Sequence, residues 1–254
     1  MKKTLVFLLF VCISLFTLTG CGKGVSTKKL ATEEEYEEYM EDKLDALEEM
    51  FEEEFSYSFK CVIKTKKADA TSEYTQTRKI EGRVSVDMND LEKTSAYVKT
   101  TTTLKGTEYS KSGKNRVSTK GTIERTVVDG KFYELCEVTQ KHGESKYEDF
   151  TKTKYEIPEN IVLEQIITMI DGIGFEKSFD GEKIYIDGDK CLLVTSTLNE
   201  HREITLKFNG DKLESVQYVL KTNTTETKIA IEYGKIKSIS KPSKSSEYKN
   251  IGLN

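Results

Sequence analysis

The sequence predicts a mostly β, α+β domain: a curved antiparallel sheet with an N-terminal helix and a buried mid-chain helix on its concave side. Three observations carry that fold class. Apolar residues recur with a period of two through most of the chain after Phe55. Ahead of that point, from Tyr36 to Phe51, they recur at spacings of three and four. Asn160 to Ile170 is apolar on almost every side. Of 254 residues 32% are charged and 36% hydrophobic, with no tryptophan, which leaves enough apolar material for a core and excludes a disordered chain.

The first element is not part of the fold. Met1, Lys2 and Lys3 precede an apolar run from Leu5 to Leu18 that is shorter than the roughly 20 residues a membrane-spanning helix needs. A basic start, a short apolar core and small residues at its end mark residues 1–20 as a signal peptide. Leu18-Thr19-Gly20-Cys21 resembles the lipobox of bacterial lipoproteins. That resemblance implies a diacylglyceryl group on the Cys21 thiol, with cleavage making Cys21 the new N-terminus. Residues 21–31 would then be a polar tether. Two acyl chains on one residue meet the requirement for stable attachment, so the expected location is the extracytoplasmic face of the cell membrane.

Thr32 and Glu35 have the spacing of a capping box, opening a helix on which Tyr36, Tyr39, Met40, Leu44, Leu47, Met50 and Phe51 form one stripe. Residues 32–54 hold thirteen acidic residues against Lys43 alone, a solvated face for a helix packed on a sheet.

Strands follow. Phe55, Tyr57, Phe59, Cys61 and Ile63 alternate with polar residues, as do Ile80 to Met88 and Ala96 to Leu104. Asp129-Gly130, Asp187-Gly188 and Asn209-Gly210 are hairpin turns suited to positive φ, and the strands they link predict a continuous meander. Pro158 and Gly172 bracket the apolar segment 160–170 as a helix, which must be buried. Ser243 to Asn254 is a polar tail, expected to fray.

The chain is poor in catalytic chemistry. His142 and His201 sit in polar turn-like stretches without a Cys or His at metal-ligand spacing, so neither a metal nor a cofactor is expected. Hydrolase motifs and phosphate loops are missing, and Asp187-Gly188-Asp189-Lys190 is a turn without the ligand series of a calcium loop. No basic cluster is interleaved with aromatics, which argues against nucleic acid. The expectation is a protein that is not an enzyme. Cys61, Cys136 and Cys191 read as buried single thiols, with a disulfide plus a leftover as the alternative.

The element order, with the ending from Ile231 to Pro242 that steps through Tyr233-Gly234 into alternating isoleucines, resembles the LolA/LppX-like family of envelope lipoproteins. The resemblance implies a half-barrel over residues 32–242 whose mid-chain helix fills the hollow. It also implies a lipid or acyl chain held between sheet and helices, lined by Phe55, Tyr57, Phe59, Ile161, Val162, Ile166, Met169 and Ile170. The alternative is an interaction or sensor module with a filled core, contacting cell-wall polymer or a protein partner through exposed Thr- and Lys-rich strands.

Overall fold

The computed structural model describes residues 30–32, 34–41, 43, 54–110, 113–158, 161–162, 164–165 and 183–251. Cys21 and the signal segment, the second half of the acidic helix, and Ile166, Met169 and Ile170 lie outside the described residues.

Twelve strands form one sheet. They are β1 (Glu54–Ala68), β2 (Ser72–Asp87), β3 (Ser95–Ser110), β4 (Gly113–Val128), β5 (Lys131–His142), β6 (Ser145–Glu156), β7 (Lys183–Asp187), β8 (Lys190–Ser196), β9 (Glu200–Asn209), β10 (Lys212–Thr222), β11 (Thr225–Tyr233) and β12 (Lys249–Asn250). Their order across the sheet is β12-β6-β5-β4-β3-β2-β1-β11-β10-β9-β8-β7. The expected single meander is thus two meanders, β1 to β6 and β7 to β11, sealed where β1 pairs antiparallel with β11. Alternation alone cannot reveal such a seam, because it fixes faces and not neighbours.

The α+β fold class with a buried mid-chain helix is overturned: about 70% of the described residues are strand, 10% helical, with one helix. The strands outlast their apolar pattern. β3 and β4 each run 16 residues, although their apolar positions cover only part of that length, and hydrogen-bonded pairing carries the rest. From the mid-chain segment, Val162 is buried in the core at 1% exposure and Ile161 packs against it.

Register shows why one face is the core. Tyr155, Phe132, Val127, Ala96, Val84, Tyr57 and Tyr233 are successive cross-strand partners from β6 to β11. Two residues further along, Val98, Gly82, Phe59, Ile231, Val216, Leu206 and Cys191 form a second row. The helix, residues 34–41, covers part of this face with Tyr36 and Met40, while Tyr39 meets Phe208 edge-on at 6.0 Å. Its capping box is formed as expected: the Glu35 amide donates to Thr32 Oγ1 at 3.2 Å and the Thr32 amide to Glu35 Oε2 at 2.8 Å.

All three turn dipeptides sit at strand ends, with different backbones. Asp129 and Gly130 both have positive φ, 49° and 63°, as a type I′ turn requires. At the other two turns only Gly188 and Gly210 do, each at the first loop position, the φ pattern of type II′.

The C-terminal segment is docked where fraying was expected. After Gly234 the chain crosses the face opposite the core: Arg83 Nη1 donates to the Lys237 carbonyl at 3.4 Å, and Lys241 pairs with Asp129 at 2.9 Å. Lys152 meets Glu247 at 2.6 Å, and Tyr248, buried to 6% exposure, packs edge-on against Tyr133 at 5.6 Å beside Val128. β12 then pairs in parallel with Thr153 and Lys154 of β6. One tyrosine in a polar stretch is too little apolar signal to reveal this strap from sequence. Among the described residues no helix is long and apolar enough to cross a membrane.

Candidate functional site

Phe55, Tyr57 and Phe59 point to the core face of β1, with ring centroids spaced 6.3 and 6.2 Å. They are buried at 7%, 7% and 3% exposure in the same cluster as Val162, so the described members of the expected apolar lining are brought together. Phe59 lies flat over Gly82, its registered partner on β2. Phe55 reaches a surface cleft of about 400 Å³, shared with Leu213, Tyr233, Glu54 and Lys212 at the end of the sheet where β1 begins.

Beyond these rows Ile80, Cys61, Ile229, Tyr218, Ile204 and Leu193 extend the core across the strands on either side of β1, but from β3 to β6 no described residue further along is buried. Past Val98, the core face of β3 bears Thr100, Thr102, Leu104, Gly106 and Glu108, all partly exposed. Here the Tyr74 hydroxyl donates to Glu108 Oε1 at 2.7 Å, and His142 Nε2 lies 3.1 Å from Glu108 Oε2. These bonds, the tyrosine's first, hold the Glu108 carboxyl below the usual range. His142 therefore ends β5 as one member of a polar ladder.

The other face of this half carries alternating hydroxyls and cations. In register across β2 to β5 stand Thr75, Lys105, Ser118 and Lys141, and beside them Glu73, Thr107 and Arg116. These residues line an open cleft of about 550 Å³. Neighbouring charges on the same face are paired, Lys99 with Glu124 at 2.7 Å and Lys64 with Glu226 at 3.7 Å. Lys105, Arg116 and Lys141 have no ion pair among the described residues.

One arrangement was missed by reading the sequence. Ser196 Oγ lies 2.7 Å from His201 Nδ1, and His201 Nε2 lies 2.8 Å from Glu203 Oε1. Its signal was the alternation of His201 and Glu203 on β9 with Ser196 opposite on β8. The nearest cleft, about 530 Å³ and lined by Thr195, Glu200, Arg202 and Thr222, belongs to residues of the opposite parity and so to the other face. The nitrogens are also reversed relative to a hydrolytic triad, where the serine binds Nε2. The histidine thus couples strands on an open sheet surface instead of facing a substrate cleft.

Cys61, Cys136 and Cys191 are free thiols. Burial pushes Cys61 up to about 11, which leaves it an inert packing group at neutral pH. Among the described residues no three His, Cys, Asp or Glu side chains are grouped to hold a metal.

No protein-family model matches the chain, and no curated protein matches it either. Among solved structures, a porin-like protein from Bacteroides uniformis is similar at 9% identity, covering 69% of this chain and 95% of that one. Its TM-score of 0.18 is too low to carry an argument.

Proposed function

We propose that the protein is a non-enzymatic lipoprotein, held at the extracytoplasmic face of the membrane through a diacylglyceryl group on Cys21, that presents its sheet as an interaction surface. The observation that supports this reading is the half of the sheet, β3 to β6 past Val98, in which no described apolar side chain is buried. Ordering a residue's backbone costs about 1–2 kcal/mol, and strands that bury little apolar area recover less of it than strands in a core. Long strands left partly exposed on both faces are accounted for by a surface that must be wide and regular.

The anchoring is tested by growing cells with labelled palmitate. The wild-type chain should take up label and sediment with membranes, and Cys21→Ala should take up none. Label entering the variant would refute the assignment.

A second reading, an apolar ligand between sheet and helix, is favoured by the cleft at Phe55, where the aromatic row reaches the surface. Native mass spectrometry of the full chain, with a fluorescent fatty acid as probe, tests it. No bound lipid and no uptake of the probe would remove this reading.

A further inference from the structure

We propose that the exposed cleft across β3, β4 and β5 binds a phosphate-bearing polyanion, held by Lys105, Arg116 and Lys141 with Ser118 and Thr107 as hydroxyl partners. This deepens the interaction-surface reading and rests on it.

The argument begins with register. Lys105 and Lys141 are the two cross-strand partners of Ser118, so two ammonium groups flank one hydroxyl across strands about 4.8 Å apart. Arg116 stands two residues along β4, about 7 Å away, opposite Thr107. Like charges set side by side on a sheet repel and lower stability unless something offsets them. Elsewhere on this face glutamates do so, at Lys99 and Lys64. In the cleft the only carboxylate is Glu73, at its margin on β2, and no ion pair to any of the three cations is formed among the described residues.

The cleft is also open among the described residues. The C-terminal strap crosses this same face only over the other half of the sheet, where it meets Arg83, Asp129, Tyr133 and Lys152. Uncovered cations with nearby hydroxyl donors suit phosphate: guanidinium and ammonium supply charge-assisted bonds, and Ser and Thr supply neutral ones. A chain of phosphates fits better than a flat anionic bilayer. The cations line a concave cleft, and the series continues along β4 to Lys114 on one side and Lys120 on the other.

The test uses the full chain in neutral detergent, with fluorescent polyphosphate as probe, read by anisotropy. With three phosphates contacted at about 0.7 ions released each, affinity should fall about ten-fold between 50 and 150 mM salt. The triple variant Lys105→Gln, Arg116→Gln, Lys141→Gln should bind at least about ten-fold more weakly, with a flatter salt dependence. A control removing the same charge elsewhere, Lys190→Gln, Lys212→Gln, Lys235→Gln, should stay within about two-fold of the wild type. All six side chains are exposed, and equal thermal midpoints will verify that the fold is kept. Equal losses in the two triples, or no wild-type binding at 50 mM salt, would overturn the site. Tighter binding to vesicles containing phosphatidylglycerol than to polyphosphate, lost in the first triple, would also overturn it in favour of a membrane surface. Palmitate labelling at Cys21 reads the anchoring separately, so either idea can fail alone.

Discussion

Replacing Gly82 with alanine tests the packing of the central rows. A Cβ at this position would lie 2.5 Å from Phe59 Cζ, 2.6 Å from Phe59 Cε1 and 2.7 Å from the Tyr97 carbonyl oxygen. Ordinary contacts begin near 3.4 Å, so the ring must move by close to 1 Å. Phe59 is 3% exposed and wedged beside Tyr57, so it cannot swing into solvent. Overpacking of this kind costs about 1–3 kcal/mol. Alanine's better strand behaviour returns about 0.5–1 kcal/mol, which leaves a net loss of about 0.5–2 kcal/mol. For a domain of this size that lowers the thermal midpoint by about 1–8 °C. Calorimetry of the full chain measures it, and a double-mutant cycle with Phe59→Leu separates the ring contact from the carbonyl contact. An unchanged or raised midpoint would refute the claim that Phe59 and the neighbouring strand fill the space above Gly82.

Two further outcomes are expected. Tyr248→Ala removes the only buried side chain among the described residues of the strap and should cost about 2–3 kcal/mol of local stability, less than a central core aromatic. Hydrogen exchange should then quicken at the Ile251 amide, which donates to the Lys154 carbonyl, and stay unchanged at Phe59; slow exchange at both would show that the ion pairs alone hold the strap. Asp69 accepts hydrogen bonds from Thr71 and Ser72, which hold its carboxyl at about 2. Its pKa is depressed on folding, so the stabilisation is present above the ordinary 3.8 and is lost as pH falls towards 2. A titration of Asp69 by NMR with its midpoint at 3.8 would contradict the turn geometry.

The sequence was legible where one residue type answers to one local force. Thr32 and Glu35 announced the helix start, and Phe55 to Cys61 announced a strand with one apolar face. Asp129-Gly130 announced a turn needing positive φ. It was illegible where structure depends on what lies alongside. The seam between β1 and β11 joins residues with no sequence proximity, and the threonine-rich ends of β3 and β4 read as strand without revealing that they stay partly exposed on both faces. The apolar stretch after Pro158 lies mostly outside the described residues, of which Val162 is buried in the core. Of the candidate sites, the Phe55 row was readable from alternation. The Lys105, Arg116 and Lys141 cluster was not, since those residues are far apart until register aligns them.

The seam has a consequence for how the molecule comes into being. Ser56 Oγ donates to the Gly234 carbonyl at 2.6 Å, across 178 residues of chain. At about 5–20 residues per second, a ribosome leaves β1 with one naked border for roughly ten to thirty seconds before its second neighbour exists. Through that interval the unpaired backbone of β1 is an adhesive border, so yield should depend on whatever shields it from other nascent chains.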